Sequence, residues 1–250
     1  DGTSYSSGLN ANATTLCGTV TSFPINEGFE GAAIPSCWTT FRGVNNQGVS
    51  NDWSIISSSS NTGIYSAFVE YEAVSSSSED WMVSPLLDLT NAISASVSYW
   101  ERDTYPGDYN SNYKIKVSTN SQTNHSDFID VVSYSESDSS NTWTQNTVDL
   151  SASLGQQVYV AFVMTQNDGD DWYLDDIQFS RVQVASVVAD FSASDSTFCQ
   201  GNTVAFTDLS TGSPTSWLWD FGDGTTSSLQ NPTHTYASVG TYDVSLTVTT

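Results

Sequence analysis

The sequence predicts an all-β chain made of two sandwiches, a larger jelly roll followed by a small immunoglobulin-like β-sandwich. Three observations carry this. Apolar and polar residues alternate with period two in run after run, long helical periodicity is absent, and clusters of Ser, Gly, Asn and Asp separate the runs.

Taken in order, residues 1–16 (DGTSYSSGLNANATTL) precede the first strand-like sequence and are expected to be a linker or the last strand of a preceding module. In SASVSYW (94–100), Ala95, Val97 and Tyr99 share one face and serines the other. YKIKVST does the same, with Tyr113, Ile115 and Val117 opposed to Lys114 and Lys116. QQVYVAFVMT (156–165) is apolar on both faces, as a central sandwich strand should be. Many short strands over residues 17–183 predict a two-sheet jelly roll. The acidic loops stop near RVQVASVVADFSAS, which places a domain boundary between residues 183 and 184. Residues 184–250 then read as seven short strands. Trp217, Trp219 and Phe221 share one face, Tyr242, Val244, Leu246 and Val248 another, and Gly222-Asp223-Gly224 forms a tight turn.

Charge narrows the partners. The chain has 250 residues, with Lys+Arg 5 against Asp+Glu 28 and a formal net charge of −23. That field repels phosphate backbones and anionic headgroups, so neither nucleic acid nor membrane insertion is expected, and it attracts divalent cations. No apolar run reaches the roughly 18 residues of a membrane span. The N-terminus lacks an initiator Met and a secretory pattern, and the C-terminus stops inside strand-like sequence. The expectation is a piece of a longer polypeptide. Cys17 and Cys37 either bridge, closing a loop worth about 3 kcal/mol, or stay as buried thiols, and Cys199 has no partner here.

Two resemblances refine this. WDFGDGTTSSLQNPTHTYASVGTYDVSLTVT contains, in order, the W-x-F-G-D-G, N-P-x-H-x-Y and G-x-Y-x-V-x-L-x-V elements and resembles a PKD repeat. The resemblance implies a non-catalytic spacer or adhesion unit, in which Asp220 and Asp223 either bind calcium or cap turns. FPINEGFEGAAIPSCWTT, DWSI, EDWMVSPLLDLTNAISASVSYW, YKIKVST, TWTQNTVDLSASLGQQVYVAF and DDWYLDDIQF, again in order, are similar to the cleaved-adhesin and choice-of-anchor J modules, relatives of MAM domains. That resemblance implies a secreted or cell-surface location, export by the type IX route and attachment to glycan, matrix or protein ligands, carbohydrate binding included. Its alternative is an accessory, substrate-targeting region of a secreted peptidase or other hydrolase.

The carboxylates decide the chemistry. NDGDDWYLDDI (167–177) holds five aspartates around a Trp-Tyr-Leu triplet. No E-x-D-x-x-E strand, HExxH or GxSxG occurs, so intrinsic catalysis is not expected. Without usable His or paired Cys, a Ca²⁺ ion held by oxygens is the better expectation. Trp172 and Leu174 are at even positions, Ile177 and Phe179 at odd ones, so a β-bulge is expected at Asp175-Asp176. In MAM-like and related jelly rolls the cation lies where the first strand meets the last. By motif position its ligands would be Glu30 with Asp175 or Asp176, and Asp80 in addition. Asp168, Asp170 and Asp171 are expected to be a solvated turn. In ERDTYPGDYNSNY, Tyr105, Asp108, Tyr109 and Asn110 combine flat apolar faces with hydrogen-bonding groups, a mixture suited to sugars, or else to shielding the sheet, whereas Tyr113 reads as core.

Overall fold

The computed structural model describes residues 17–43, 52–71, 77–105, 109–166, 169–183, 186–197 and 199–250. The chain divides into two compact units, Asp1–Gln183 and Val184–Thr250. Among the described residues no helix is long and apolar enough to cross a membrane.

The first unit contains β1 (Ile25–Glu27), β2 (Thr39–Arg42), β3 (Ser54–Ile56), β4 (Ser66–Val69), β5 (Ser78–Val83), β6 (Leu87–Asp88), β7 (Ala92–Asp103), β8 (Asn112–Ser118), β9 (Ile129–Ser135), β10 (Thr144–Asp149), β11 (Gln157–Gln166) and β12 (Trp172–Gln183). One sheet runs β10-β7-β12-β4-β3 with β1 also on β12; the other runs β2-β5-β11-β8-β9 with β6 also on β11. Alternation sets what each strand buries. Val97 and Tyr99 of β7, Tyr113 and Ile115 of β8, Val160, Phe162 and Met164 of β11, and Trp172 and Leu174 of β12 fill the space between the sheets. The opposite face of β11, Ala161 and Val163, packs with Trp81, Val83 and Phe128 in a second cluster, which is why this strand is apolar on both sides. Cys17 and Cys37 are joined by a disulfide with Cα atoms 5.4 Å apart.

Strand β12 is the backbone of its sheet. On one edge it pairs with β7 along most of its length. On the other it pairs first with β4, through Trp172–Leu174, and then with β1, through Ile177–Phe179. The change of partner coincides with the expected bulge: Asp175 faces Trp100 but Gln178 faces Ser98, one residue more than the partner strand supplies. Asp176 takes a left-handed backbone, φ 47, in the extra position.

The same alternation carries acids inward at one end of the sandwich. Glu101 and Asp103 follow Val97 and Tyr99 on the inner face of β7 and are buried, as are Glu136, Asp170 and Asp171. Glu101 accepts the Trp172 indole N–H at 2.9 Å and an Asn146 amide N–H. Among the described residues no lysine or arginine forms an ion pair with any of these five acids. Burial pushes the Glu101 carboxyl up to about 7, against the hydrogen bonds from Trp172 and Asn146, with Asp103 adding to the rise. Burial and the neighbouring Asp170 and Glu136 push Asp103 up to about 6.

The second unit contains β13 (Phe191–Ala193), β14 (Thr203–Asp208), β15 (Ser216–Asp220), β16 (Thr226–Ser227), β17 (Thr233–Thr235) and β18 (Ser245–Thr249). They form two three-stranded sheets, β13-β14-β17 and β16-β15-β18. Trp219 is fully buried among Val204, Phe206, Phe221, Tyr236 and Leu246, and its indole N–H donates to the Leu229 carbonyl at 2.9 Å. The described residues hold six strands where the sequence predicts seven. The expected run from Tyr242 begins as strand only at Ser245, because Tyr242 instead stacks on Tyr236 at 4.1 Å and donates to the Ser238 carbonyl. Gly222, at φ 76, lies against the Asp243 backbone, where no side chain fits. Asp220 accepts the Gly222 N–H, and Asp223 accepts from Thr225 and pairs with His234 at 2.8 Å, so both cap turns.

The buried acids fix the sign of a pH effect. Raised folded-state pKa values mean that protons bind the folded chain more tightly. Their stabilising contribution is complete below the ordinary carboxylate range near 4 and is lost as pH rises through about 6 to 7. Calorimetric scans should therefore give the first unit a higher Tm at pH 5 than at pH 8, and Glu101→Gln should flatten the slope. A Tm that stays level or climbs with pH contradicts this account.

Candidate functional site

Two places in the first unit gather the residues that the sequence singles out. The first is the corner at the β12 bulge. Glu30, in the turn after β1, accepts the backbone N–H groups of Ile64 at 3.0 Å and Tyr65 at 3.1 Å. Gly63, at φ 63, lies directly beneath that carboxylate, and a side chain there would collide with it. Asp175 is fully buried and accepts from the N–H groups of Asn61 at 2.7 Å, Thr62 at 3.2 Å and, through its other oxygen, Asp176 at 2.7 Å. Asp176 accepts the Asn61 side-chain amide at 2.8 Å and the Thr62 hydroxyl at 2.7 Å. Three carboxylates thus close on one loop, residues 61–65, which fills the gap where β4 gives way to β1. Burial holds the Asp175 carboxyl up at about 6 in spite of its N–H donors, with the Asp176 charge adding to the rise.

Asp80 does not join this corner. It shares the parity of Met82 on β5, in the opposite sheet, and is buried between the layers. Among the described residues no group of three or more His, Cys, Asp or Glu side chains is arranged to hold a metal ion. Both oxygens of Asp175 and both of Glu30 accept backbone N–H groups.

The second place is the tip of the β7–β8 connection. Tyr105 and Tyr109 are 45% and 47% exposed, with ring centroids 6.2 Å apart and planes at 70°. Asn110 takes a left-handed backbone, φ 68, beside them. Asp108 lies outside the described residues. Tyr113 is fully buried and stacks on Trp172 at 4.8 Å.

What holds the tip was not expected. Asp170 and Asp171, read from sequence together with Asp168 as a solvated turn, are 0% and 8% exposed, and Asp168 lies outside the described residues. Asp170 accepts the Tyr105 N–H at 2.7 Å and the Thr104 N–H at 3.3 Å, and its own N–H donates to the Ser111 hydroxyl. Asp171 accepts from the Thr104 hydroxyl at 3.0 Å and the Tyr71 N–H at 3.1 Å. Glu136 accepts the N–H groups of Tyr109 and Ser111, both at 2.9 Å. The tyrosines are therefore presented from a stem whose ends are clamped by buried acids. A signal for this was present in the sequence: the even parity of Trp172 and Leu174 extends back to Asp170 and points it inward.

Comparison with known proteins agrees with this architecture. Residues 22–179 match the family model described as Cleaved Adhesin Domain, and residues 185–250 match that of the PKD domain. Collagenase ColA of Bacillus cereus is 67% identical over 33 residues, which is 13% of this chain but only 3% of the collagenase. Among solved structures, the K2 cleaved adhesin domain of Lys-gingipain is 24% identical, covering 63% of this chain and 99% of that one, at a TM-score of 0.49. The K1 domain of Lys-gingipain from Porphyromonas gingivalis W83 is 22% identical, covering 64% and 98%, also at 0.49. With the adhesin match spanning more than half of its length, the chain belongs to the cleaved adhesin domain family and carries a PKD domain after the adhesin domain.

Proposed function

We propose that this chain is a non-catalytic adhesion segment of a larger secreted or cell-surface protein, and that it meets glycan, matrix or protein ligands through the tip of its first unit. The observation that supports the tip is the exposed pair Tyr105 and Tyr109 on a clamped stem. Exposed aromatic rings that lose little conformational freedom are favourable contact groups, and a pre-ordered loop lowers the cost of binding. The acids beneath the tip are engaged with backbone N–H groups and serve to hold the loop. The PKD unit is a spacer in this reading.

One observation favours a second reading, in which the chain is an accessory region that brings a secreted peptidase to its substrate. The 33-residue stretch at 67% identity belongs to a collagenase, and a microbial collagenase of Vibrio alginolyticus is 66% identical over 32 residues. Fibrillar collagen is therefore the first probe, with mucin glycoprotein beside it. Surface plasmon resonance should detect binding to at least one of the two, and a Tyr105→Ala/Tyr109→Ala double variant should bind at least tenfold more weakly at unchanged Tm. Equal binding by the variant, or none by the unmodified chain, removes the tip from the proposal.

Calcium is a separate proposal, supported by the net charge of −23 and by Glu30, Asp175 and Asp176 closing on one loop. An ion there would share these oxygens with the N–H donors, and its role would be structural. Mass action then requires a Tm that rises with added CaCl₂ and falls with EGTA in the unmodified chain, with little response in Asp175→Asn. If the melting curve ignores both reagents, the corner is held by hydrogen bonds alone.

A further inference from the structure

The outer face of β10, β7, β12 and β1 has a feature that neither the corner nor the tip explains. The alternation that turns Val97 and Tyr99 inward turns Ser98 and Trp100 outward. Strand register places Gln145 across from Trp100, Gln178 across from Ser98, and Asn26 across from Gln178. With strands about 4.8 Å apart, these two adjacent rows of side chains together span four strands, roughly 14 Å of sheet. Trp100 is only half-buried, a large apolar ring standing among amides and hydroxyls. Together with Asp176 and Glu27, these residues line an open cleft of about 390 Å³. That volume falls within the range of about 300–1,000 Å³ typical of small-molecule sites.

We propose that this cleft is a binding site for a neutral glycan. The reading rests on the first unit being a binding domain and is independent of the tip. A sugar ring offers an apolar C–H face and a rim of hydroxyls, each both donor and acceptor. The Trp100 indole matches the face. The amides of Gln145, Gln178 and Asn26 match the rim, because each amide carries donors and an acceptor. These amides are already partly oriented: Gln178 donates to the Asn26 side-chain oxygen at 2.6 Å and accepts from the Ser180 hydroxyl at 3.2 Å. The charge of the site selects among glycans. Among the described residues no lysine, arginine or histidine lines the cleft, whereas the Asp176 and Glu27 carboxylates do. Carboxylates accept hydrogen bonds from hydroxyls but repel sulfate, phosphate and uronate groups, and the chain's net charge of −23 adds to that repulsion.

Native affinity electrophoresis tests the assignment, with galactomannan and β-glucan as neutral probes and alginate as the anionic one. The unmodified chain should be retarded by at least one neutral polysaccharide and not by alginate. Trp100→Ala should weaken the retardation at least tenfold, while the Tyr105→Ala/Tyr109→Ala variant should keep it. If Trp100→Ala lowers Tm, the Gln145→Ala/Gln178→Ala pair, on outward polar positions, gives the decision. Lack of retardation in both neutral gels, a preference for alginate, or retardation untouched by the cleft variants overturns the proposal. Loss on the tyrosine variant alone would move glycan binding to the tip and leave the cleft without a ligand.

Discussion

A carboxylate taken out of water must find compensating donors or a proton, and this chain has almost no cations to offer it. With five lysines and arginines against 28 acids, ion pairing can serve only a few positions. Backbone N–H groups do the work instead. Asp175 takes those of Asn61 and Thr62, Glu30 those of Ile64 and Tyr65, Asp170 those of Thr104 and Tyr105, and Glu136 those of Tyr109 and Ser111. Each acid therefore fixes the path of a loop. Part of what first reads as an acidic surface is a scaffold of engaged carboxylates, most of them buried and Glu30 exposed, that orders the connections at the edge of the sandwich. Where the donors do not suffice, as at Glu101, Asp103 and Asp175, the remainder of the cost appears as raised proton affinity.

Strand β12 links these loops. Its first residues bury Trp172 and Leu174, and just before them Asp170 and Asp171 reach the tip. Three residues further on, the bulge turns Asp176 out of the pleat, and the strand exchanges β4 for β1. A non-glycine residue in the left-handed region is costly, on the order of 1 kcal/mol. The Asn61 amide and Thr62 hydroxyl on Asp176 offset that cost, so the irregular backbone and the loop that caps it stabilise each other. Beyond the bulge the outward parity is restored one residue late, which is what aligns Gln178 with Ser98 and Asn26 on the face of the cleft.

Much of this was legible from spacing alone, and the reasons are local. The inward faces of β7, β8 and β11 follow from period two, and the bulge follows from the shift between Leu174 and Ile177. Failures arose where residue type was allowed to overrule parity. Asp170 and Asp171 read as solvent-facing because they are aspartates, although the position of Asp170 continues an inward series. Asp80 was grouped with Glu30 because both are acids near family motifs, but sequence does not reveal that β5 lies in the opposite sheet. Trp100 escaped notice for the converse reason, since a tryptophan in an alternating strand suggests core until its parity is checked against Tyr99. Strand order and the identity of loop donors are long-range facts; Asp175 and Asn61 are separated by 114 residues.

The same charge imbalance that shapes the interior also constrains recognition. Surface carboxylates act over about 8 Å in physiological salt, so a ligand that carries negative groups meets repulsion close to any contact face. Favourable contacts must then come from groups that are indifferent to that field, which here means aromatic rings and amides. The tyrosines of the tip and the indole and amides of the cleft are of this kind; Asp170, just before β12, holds the tip, and Gln178, beyond the bulge, lines the cleft. Association built on such contacts depends on shape and on prior ordering of the loops more than on electrostatic steering. The buried acids supply that ordering at the tip, so the residues that look most suited to holding a charge instead keep neutral groups in place.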